Sequence, residues 1–255
     1  MSPSSSSDST GRLAVIIPMF NEQGHAERCV RAVCAVLRDK LPGGRLFVVN
    51  DGSRDETPAI LRRLSEENLP LTFVDQAQNG GYGAALLAGA RRAYQDGFEF
   101  GLFMDSDLTN DPALIPRFAE LLAGDQYDLV KASRYVPGGG MRGVPWQRQA
   151  VTIVGNKIAS RLFGLGLRDC TNGFRAVRLS MIVDAQFHER GFPQIVEELL
   201  YLKQKGARVA ELPYILSARQ AGEGESKFNY RPQMFAAYLK YAVRAALHDR
   251  GLHIS

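Results

Sequence analysis

Two aspartates separated by one residue, Asp105 and Asp107, are the residues of this chain best suited to do chemistry. They follow an apolar run at residues 101–104, and this spacing directs both side chains to one side if strand geometry continues. Adjacent carboxylates repel each other unless a cation lies between them, and such oxygen ligands suit Mg²⁺ or Mn²⁺. The pattern favours a divalent metal that bridges a diphosphate leaving group. The alternative is an Asp-rich turn before a helix that Asp111 caps.

A second polar cluster, residues 50–53 (Asn-Asp-Gly-Ser), follows another apolar run. It predicts a type I turn in which Ser53 or Asp55 caps the next helix. It equally fits a site for a nucleotide base or ribose, and the two interpretations are compatible.

A glycine-rich segment, residues 79–85, lies where a third strand would lead into a helix. Its glycines could let backbone N–H groups approach a phosphate at the N-terminus of that helix. The segment also matches a dinucleotide-binding fingerprint, but only weakly. It follows the third strand, and the acidic residue expected about 20 positions later is missing.

Basic side chains cluster on glycine-containing segments in the second half of the chain: Arg134, Arg148, Arg175, Arg219 and Lys227. Guanidinium groups bind phosphates in a bidentate manner, and mobile loops could close them around a substrate. For each arginine taken alone, a solvated surface charge is the alternative.

Apolar runs alternate with helical patterns along the first half of the chain. The predicted strands are residues 13–17, 46–49, 71–74, 98–104 and 127–132, and the predicted helices are residues 24–38, 55–68, 81–96 and 111–123. Continuous apolar runs are typical of strands buried on both faces. We therefore expect an α/β fold with a doubly wound, mostly parallel sheet. Ligands bind such sheets at the carboxyl ends of the strands, where residues 21–22, 50–53 and 105–107 should converge.

The second half of the chain predicts a mobile glycine-rich loop at residues 137–143 and three more helices. These helices are residues 146–163, 193–205 and 231–247. The last has Leu239, Val243 and Leu247 at four-residue steps beside Lys240 and Arg244. It could pack on the core or lie on a membrane surface as a basic amphipathic helix.

Length and composition predict one large domain. The chain has 255 residues, of which 45% are hydrophobic and 23% charged. We expect a disordered tail at residues 1–11, a catalytic domain at 12–228, and an amphipathic helix with a tail at 229–255.

Charge and cysteine content restrict the partners. A net charge of +4 and a pI near 9.0 favour anionic partners, but the excess is too small to indicate a nucleic-acid binder. Three cysteines without metal-ligand spacing suggest neither zinc nor disulfides and fit a reducing cytoplasm. No apolar run approaches the roughly 20 residues that span a bilayer, so we expect a cytoplasmic protein, soluble or peripheral on the membrane.

Five segments, in order, resemble the motifs of family 2 glycosyltransferases. They are residues 15–22, 50–55, 105–107, 169–175 and 224–227. The resemblance is to the branch that transfers mannose to dolichyl or polyprenyl phosphate, and it extends over residues 12–227. It implies a GT-A fold, an inverting transfer and a divalent metal, Mg²⁺ or Mn²⁺, held by the two aspartates.

The residue patterns and the resemblance together predict the site. The metal ligands are Asp105 and Asp107, and the catalytic set adds Arg134, Arg148 and Arg219. The donor contacts are Pro18, Asn21, Glu22, Asn50, Asp51, Ser53, Asn79, Gly83 and Ser106, and the acceptor-phosphate contacts are Ser133, Arg134, Arg148, Arg219, Ser226 and Lys227. The sequence departs from the family pattern at Asn50, usually Asp, and at Thr109, often Gln in this branch.

The resemblance implies transfer of a hexose, with mannose from GDP-mannose favoured, to a polyprenyl phosphate. A phosphate acceptor is already ionised near neutral pH and needs no strong base, whereas a hydroxyl acceptor would require one, such as Glu197 or Glu198. The alternatives are a soluble glycosyltransferase that uses UDP-glucose or another donor on a hydroxyl acceptor, and a catalytically silent nucleotide-sugar-binding subunit. A membrane subunit, or peripheral contact through the last helix, would bring the enzyme to a lipid acceptor.

Overall fold

The computed structural model describes residues 12–217 and 232–249, without the side chains of residues 148, 217 and 232–235. The predicted tail at residues 1–11 and the predicted domain boundary at 228 fall outside these ranges. So do the predicted site residues Arg219, Ser226 and Lys227 and the side chain of Arg148.

A seven-stranded sheet forms the centre of the molecule, in the order β3-β2-β1-β4-β7-β5-β8. Its strands are β1 (Leu13–Met19), β2 (Arg45–Asp51), β3 (Leu71–Gln76), β4 (Phe100–Phe103), β5 (Leu129–Ser133), β7 (Arg175–Arg178) and β8 (Val209–Pro213). The apolar runs of β1, β2 and β4 are buried on both faces, as continuous hydrophobic strands require. The doubly wound, mostly parallel sheet is confirmed.

One strand of the sheet runs against the others. β7 pairs antiparallel with β4 on one side and with β5 on the other. The sequence did not predict β7 or β8, because their side chains lack the long apolar runs of the first four strands.

Helices cover both faces of the sheet. They are α1 (Ala26–Lys40), α2 (Thr57–Ser65), α3 (Tyr82–Gln95), α4 (Ile115–Leu122), α5 (Trp146–Phe163), α6 (Gln194–Gln204) and α7 (Pro232–His248). One hydrophobic core lies under α1, α2 and α4, and a second lies under α3, α6 and α7. Within the described ranges, none of these helices has the length and apolar character needed to cross a bilayer.

The glycine-rich segment at residues 137–143 is more ordered than predicted. Gly140–Arg142 form a short strand, β6, that pairs in parallel with β9 (Ile215–Ser217). The Gly140 N–H also donates to the Tyr214 carbonyl. The prediction of a loop without fixed structure is wrong here, because pairing with a distant strand supplies hydrogen bonds that a local pattern cannot reveal.

β1 and β4 separate toward their carboxyl ends, and we call the gap between them the crevice. Their pairing ends at Ile16 and Phe103, whereas β1 continues alongside β2 as far as Met19. Pro18 lies in this unpaired stretch and has no backbone N–H to offer to β4. The strand order reverses at this point, which is where doubly wound sheets bind ligands.

Candidate active site

The loops after β1 and β2 are joined to each other by hydrogen bonds. The Asn21 N–H donates to Ser53 Oγ at 3.0 Å, and the Asn21 side-chain oxygen accepts from the Arg54 N–H at 2.9 Å. The Glu22 N–H donates to the buried Thr57 Oγ1 at 2.8 Å. Asn21 adopts a left-handed conformation with φ 53°, which asparagine tolerates better than most residues. These bonds hold three predicted donor contacts, Asn21, Glu22 and Ser53, at one edge of the sheet.

The buried Asp51 joins the β2 loop to the loop before α3. Its two carboxylate oxygens accept the N–H groups of Gly80 and Gly81 at 2.7 and 3.0 Å. Gly52 makes this approach possible, because a Cβ there would lie 2.6 Å from the Asn79 nitrogen. The glycine N–H groups expected to approach a phosphate are therefore already bound to a carboxylate of the chain. The Asp51 carboxylate retains acceptor capacity for a nucleotide.

Asn50 is matched to a neighbouring acid. Its amide donates to Asp75 Oδ1 at 2.7 Å, and its side-chain oxygen accepts from the Ser53 N–H at 3.1 Å. An aspartate at this buried position could not donate and would repel Asp75. The departure from the family pattern thus has a local structural reason.

Gly83 packs against other parts of the chain. Its N–H donates to the Arg190 carbonyl at 3.1 Å. A Cβ at this position would lie 2.8 Å from Gln194 Cγ and 2.9 Å from the Glu189 carbonyl oxygen. Gly83 therefore allows close packing at the start of α3, and its contact with the donor stays a prediction.

The turn after β4 holds the two aspartates in a fixed arrangement. Asp107 Oδ1 accepts both the N–H and the hydroxyl of Thr109, at 3.0 and 2.7 Å. The Asp105 N–H donates to Asn110 Oδ1 at 2.9 Å. Ser106 and Asp107 are largely buried. Thr109 therefore orients Asp107 directly, which the sequence did not reveal.

Tyr214 supports this turn from the far end of β8. Its hydroxyl donates to the Thr109 carbonyl at 2.7 Å and lies 3.4 Å from Asn110 Nδ2. Burial raises the pKa of the Tyr214 phenol, and the charges of Asp105 and Asp107 raise it further. The phenol therefore stays protonated and able to donate at neutral pH.

The two aspartates are suitable ligands for a hard divalent cation whose remaining ligands come from a substrate. Burial raises the pKa of the Cys29 thiol, and the charges of Asp107 and Glu22 raise it further. The carboxylates of Asp107 and Glu22 are therefore both close enough to Cys29 in α1 to act on its thiol. The described residues contain no cluster of three or more His, Cys, Asp or Glu side chains placed to hold a metal. One or two carboxylates plus phosphate oxygens is nevertheless the usual arrangement for Mg²⁺.

Arg134 lies beyond β5 and is held by Asp169. Its Nε and Nη2 donate to the two Asp169 oxygens at 2.7 and 2.8 Å, and Nη2 also reaches Thr171 Oγ1 at 3.0 Å. Burial alone would raise the pKa of Asp169, but the hydrogen bonds and charge of Arg134 lower it below its usual value. The guanidinium is thus oriented by a buried carboxylate.

Ser133 does not present its hydroxyl to the surface. The residue is fully buried, and its Oγ accepts from the Tyr135 N–H at 3.3 Å. In this structure the Ser133 hydroxyl supports the turn at the end of β5, and its contact with an acceptor phosphate stays a prediction from the resemblance.

Arg175 was predicted to grasp a phosphate from a mobile loop, and the structure contradicts this. It is fully buried in β7, where Nε and Nη2 donate to the two oxygens of Glu198 at 2.6 and 2.7 Å. The Glu197 carboxylate accepts the N–H groups of His188 and Glu189. Both glutamates considered as bases are therefore committed to contacts within the fold.

Comparison with known proteins decides the family. The family model described as glycosyl transferase family 2 matches residues 14–184. The chain belongs to this family. It is a glycosyltransferase, and the expected GT-A fold is confirmed.

Relatives of this family 2 glycosyltransferase cover most of its length. It is 31% identical over 243 residues to polyprenol monophosphomannose synthase of Mycolicibacterium smegmatis, covering 93% of this chain and 89% of the relative. It is 29% identical over 218 residues to undecaprenyl-phosphate mannosyltransferase of Micrococcus luteus, covering 84% and 87%. The resemblance to this branch of the family is confirmed.

Solved structures show the same fold. Glucosyl-3-phosphoglycerate synthase from Mycobacterium tuberculosis, in complex with Mn²⁺, uridine diphosphate and glucosyl-3-phosphoglycerate, has a TM-score of 0.64 at 20% identity. The match covers 96% of this glycosyltransferase and 82% of that chain. The same enzyme with Mg²⁺ and uridine diphosphate gives 0.63 at 21% identity, covering 96% and 81%.

The interior of the glycosyltransferase also contains a buried lysine. Lys131 is fully buried, and its Nζ donates to the Asn172 carbonyl at 2.7 Å. Burial lowers the pKa of Lys131 to about 8 from its ordinary 10.5. Between these two values the unfolded chain binds more protons than the folded one, so the contribution of this lysine to stability rises with pH.

We expect the Lys131→Met variant to lack this pH dependence. From pH 7 to pH 9.5, the free energy of unfolding of the wild type relative to the variant should rise by on the order of 2 kcal/mol. Urea unfolding at both pH values measures the difference, and other titrating groups cancel in the comparison. A difference that does not change with pH would mean that the pKa of Lys131 is the same in the folded and unfolded states.

Proposed function

We propose that this glycosyltransferase moves a hexose, with mannose from GDP-mannose favoured, to a polyprenyl or dolichyl phosphate with inversion at the anomeric carbon. The two relatives described above are both named for mannose and a polyprenyl phosphate. The observation that carries the choice of acceptor is the engagement of Glu197 and Glu198 in structural contacts. An acceptor that is already ionised needs neither carboxylate as a base.

The donor occupies the crevice between β1 and β4 in this proposal. The nucleotide lies along Pro18, Asn21 and Glu22 on one side, and along Asn50, Asp51, Ser53 and Asn79 on the other. Asp105 and Asp107, with Ser106 between them, hold Mg²⁺ or Mn²⁺, which neutralises the departing diphosphate when bound. Thr109 keeps Asp107 oriented toward this position.

The acceptor phosphate approaches from the side of Arg134. Asp169 fixes this guanidinium, and charge-assisted bonds from it would position the phosphate for attack on the sugar. Arg148, Arg219, Ser226 and Lys227 complete the proposed acceptor set. The enzyme works on the cytoplasmic face of a membrane, attached peripherally through α7 or through a membrane subunit.

A transfer assay with the full chain tests the proposal. Radiolabelled GDP-mannose or UDP-glucose is offered with Mg²⁺ or Mn²⁺ and with either a short polyprenyl phosphate or the matching polyprenol. We expect metal-dependent label in the lipid phase from GDP-mannose, with the phosphate acceptor only. Transfer to the alcohol or to a sugar hydroxyl would refute the proposal that the acceptor is a phosphate. Donor binding by calorimetry without transfer to any acceptor would identify a silent subunit.

A further inference from the structure

Gly173 lies at the carboxyl edge of the sheet, between the strands that carry the two ends of the proposed reaction. It comes two residues before β7, and β7 begins opposite Phe103 of β4 on one side and Lys131 of β5 on the other. Asp105 follows Phe103 by two residues, and Arg134 follows Lys131 by three. The edge of the sheet therefore presents Asp105, Gly173 and Arg134 in this order.

This order places the transferred hexose near Gly173. In the proposed function the leaving diphosphate lies at Asp105 and the acceptor phosphate lies at Arg134. Inversion requires the attacking and leaving oxygens to lie on opposite sides of the anomeric carbon, so the sugar lies between them. Side chains that reach Gly173 are therefore the ones able to contact the hydroxyl groups of the hexose.

The hydroxyl of Tyr82 reaches Gly173. A Cβ built on Gly173 would lie 3.2 Å from the Tyr82 Oη, so the missing side chain leaves room for this hydroxyl. Tyr82 is the first residue of α3, and its ring packs on Phe192 with the ring centroids 5.0 Å apart. The next residue, Gly83, packs closely on Gln194 of α6. The start of α3 and the tyrosine ring are therefore held in place by the segment that leads into α6.

The Tyr82 hydroxyl is available to donate a hydrogen bond. The side chain is partly exposed, and within the described ranges no residue accepts a hydrogen bond from its hydroxyl. Burial raises the pKa of the phenol, and the charge of Asp105 raises it further, whereas the charge of Arg175 lowers it. The phenol therefore keeps its proton at neutral pH and lies close enough to Asp105 for this carboxylate to act on it.

We infer that Tyr82 is a specificity-determining residue of the donor site, whose hydroxyl donates to one hydroxyl group of the transferred hexose. The inference rests on the proposed function, which supplies the positions of the diphosphate and the acceptor phosphate. Arg175, the other polar side chain next to Gly173, is committed to Glu198 and to the Gly173 carbonyl. A site that hydrogen-bonds a substrate hydroxyl discriminates against analogues that lack it. Tyr82 thus selects the sugar by one of its hydroxyl groups.

The Tyr82→Phe variant tests the inference, because it removes only the hydroxyl and keeps the ring that packs on Phe192. We measure kcat/KM for transfer from GDP-mannose, and from analogues that each lack one hydroxyl group of the hexose, to a short polyprenyl phosphate. Tyr82→Phe should lower kcat/KM for GDP-mannose about tenfold, as expected for one lost hydrogen bond. One analogue should be about tenfold poorer than GDP-mannose with the wild type and equal to it with the variant, since the contact is then already lost.

Binding of GDP distinguishes contact with the hexose from a structural role. GDP lacks the hexose, so its affinity should stay within about twofold of wild type in Tyr82→Phe. Tyr94→Phe is the matched control, because Tyr94 lies on the same helix and is 47% exposed; it should leave every value within about twofold of wild type. Full activity in Tyr82→Phe, an equal loss for GDP-mannose and all the analogues, or an equal loss of GDP affinity would overturn the inference.

Calorimetry without an acceptor separates this inference from the proposed function. Wild type and Tyr82→Phe are titrated with GDP-mannose, UDP-glucose, GDP and UDP. If the wild type transfers no sugar to the polyprenyl phosphate, the proposed function fails. Contact with the hexose is then supported by weaker binding of a nucleotide sugar, but not of its diphosphate, in Tyr82→Phe. If transfer proceeds and the variant matches wild type in both assays, only the inference about Tyr82 fails.

Discussion

Replacing Asp107 with Asn is expected to lower the turnover number for sugar transfer by roughly a hundred- to a thousandfold. Asparagine keeps the size of the side chain and can still accept the hydrogen bonds from Thr109. It lacks the negative charge that would hold a divalent cation against the leaving diphosphate. The turnover number at saturating donor and metal measures the loss, and Mn²⁺ binding followed by electron paramagnetic resonance should weaken in parallel.

The matched control for this variant is Asp111→Asn, four residues away. Asp111 caps the short helical turn before α4 by accepting the Ala113 N–H at 2.9 Å, as the sequence predicted. Asparagine is an equally good cap, so activity and Mn²⁺ binding should stay within about twofold of wild type. An Asp107→Asn enzyme that retained full activity and Mn²⁺ affinity would show that this turn does not hold the metal.

Replacing Glu198 with Ala is expected to destabilise the fold by about 3–5 kcal/mol. The change leaves the guanidinium of Arg175 buried without its bidentate partner. Arg175 also stacks on Phe103, 4.7 Å from the ring centroid, and cannot turn outward without disrupting the packing of β4. Urea unfolding of the full chain at pH 7 measures the loss.

Two further variants distinguish the cost of leaving a buried charge unpaired from the cost of losing an exposed ion pair. Glu120→Ala removes a glutamate from an exposed ion pair with Arg117 and should cost less than about 1 kcal/mol. The double change Arg175→Met with Glu198→Leu replaces the buried pair by apolar side chains and should recover most of the stability. If Glu198→Ala lowered the free energy of unfolding no more than Glu120→Ala, the buried ion pair would not stabilise the fold. A folded Glu198→Ala enzyme that had lost transfer alone would revive Glu198 as a base.

The sequence predicted the first four strands of the sheet and the helices that alternate with them. Short continuous apolar runs, here followed by Pro18, Asn50, Asp75 and Asp105, are typical of buried parallel strands. Once they are placed in a doubly wound sheet, the convergence of residues 21–22, 50–53 and 105–107 follows from topology alone. The structure confirms these strands, and the polar clusters lie at their carboxyl ends.

The sequence could not predict contacts between residues far apart in the chain. Arg175 follows a Gly-Phe pair in a polar segment, and this pattern predicted an exposed loop. In the structure Arg175 lies in β7, between β4 and β5. Its partner, Glu198, is 23 positions away. β6 was missed for the same reason, because its pairing partner lies beyond residue 214.

The orienting bonds around the site were also invisible in the sequence. Asp51 bonds to glycines about 30 positions away, and Tyr214 reaches Thr109 from 105 positions away. Thr109 could be noted only as a departure from the family pattern. The structure gives it a local role, since its hydroxyl and N–H both hold Asp107 Oδ1.

Diffraction at the manganese absorption edge, from crystals of the full chain grown with Mn²⁺ and GDP, tests the donor site most directly. We predict one anomalous peak in the crevice between β1 and β4, about 2.1 Å from a carboxylate oxygen of Asp107 and in contact with the diphosphate. GDP bound in the crevice with its Mn²⁺ on residues other than Asp105 and Asp107, or GDP bound elsewhere, would contradict the assignment of the active site.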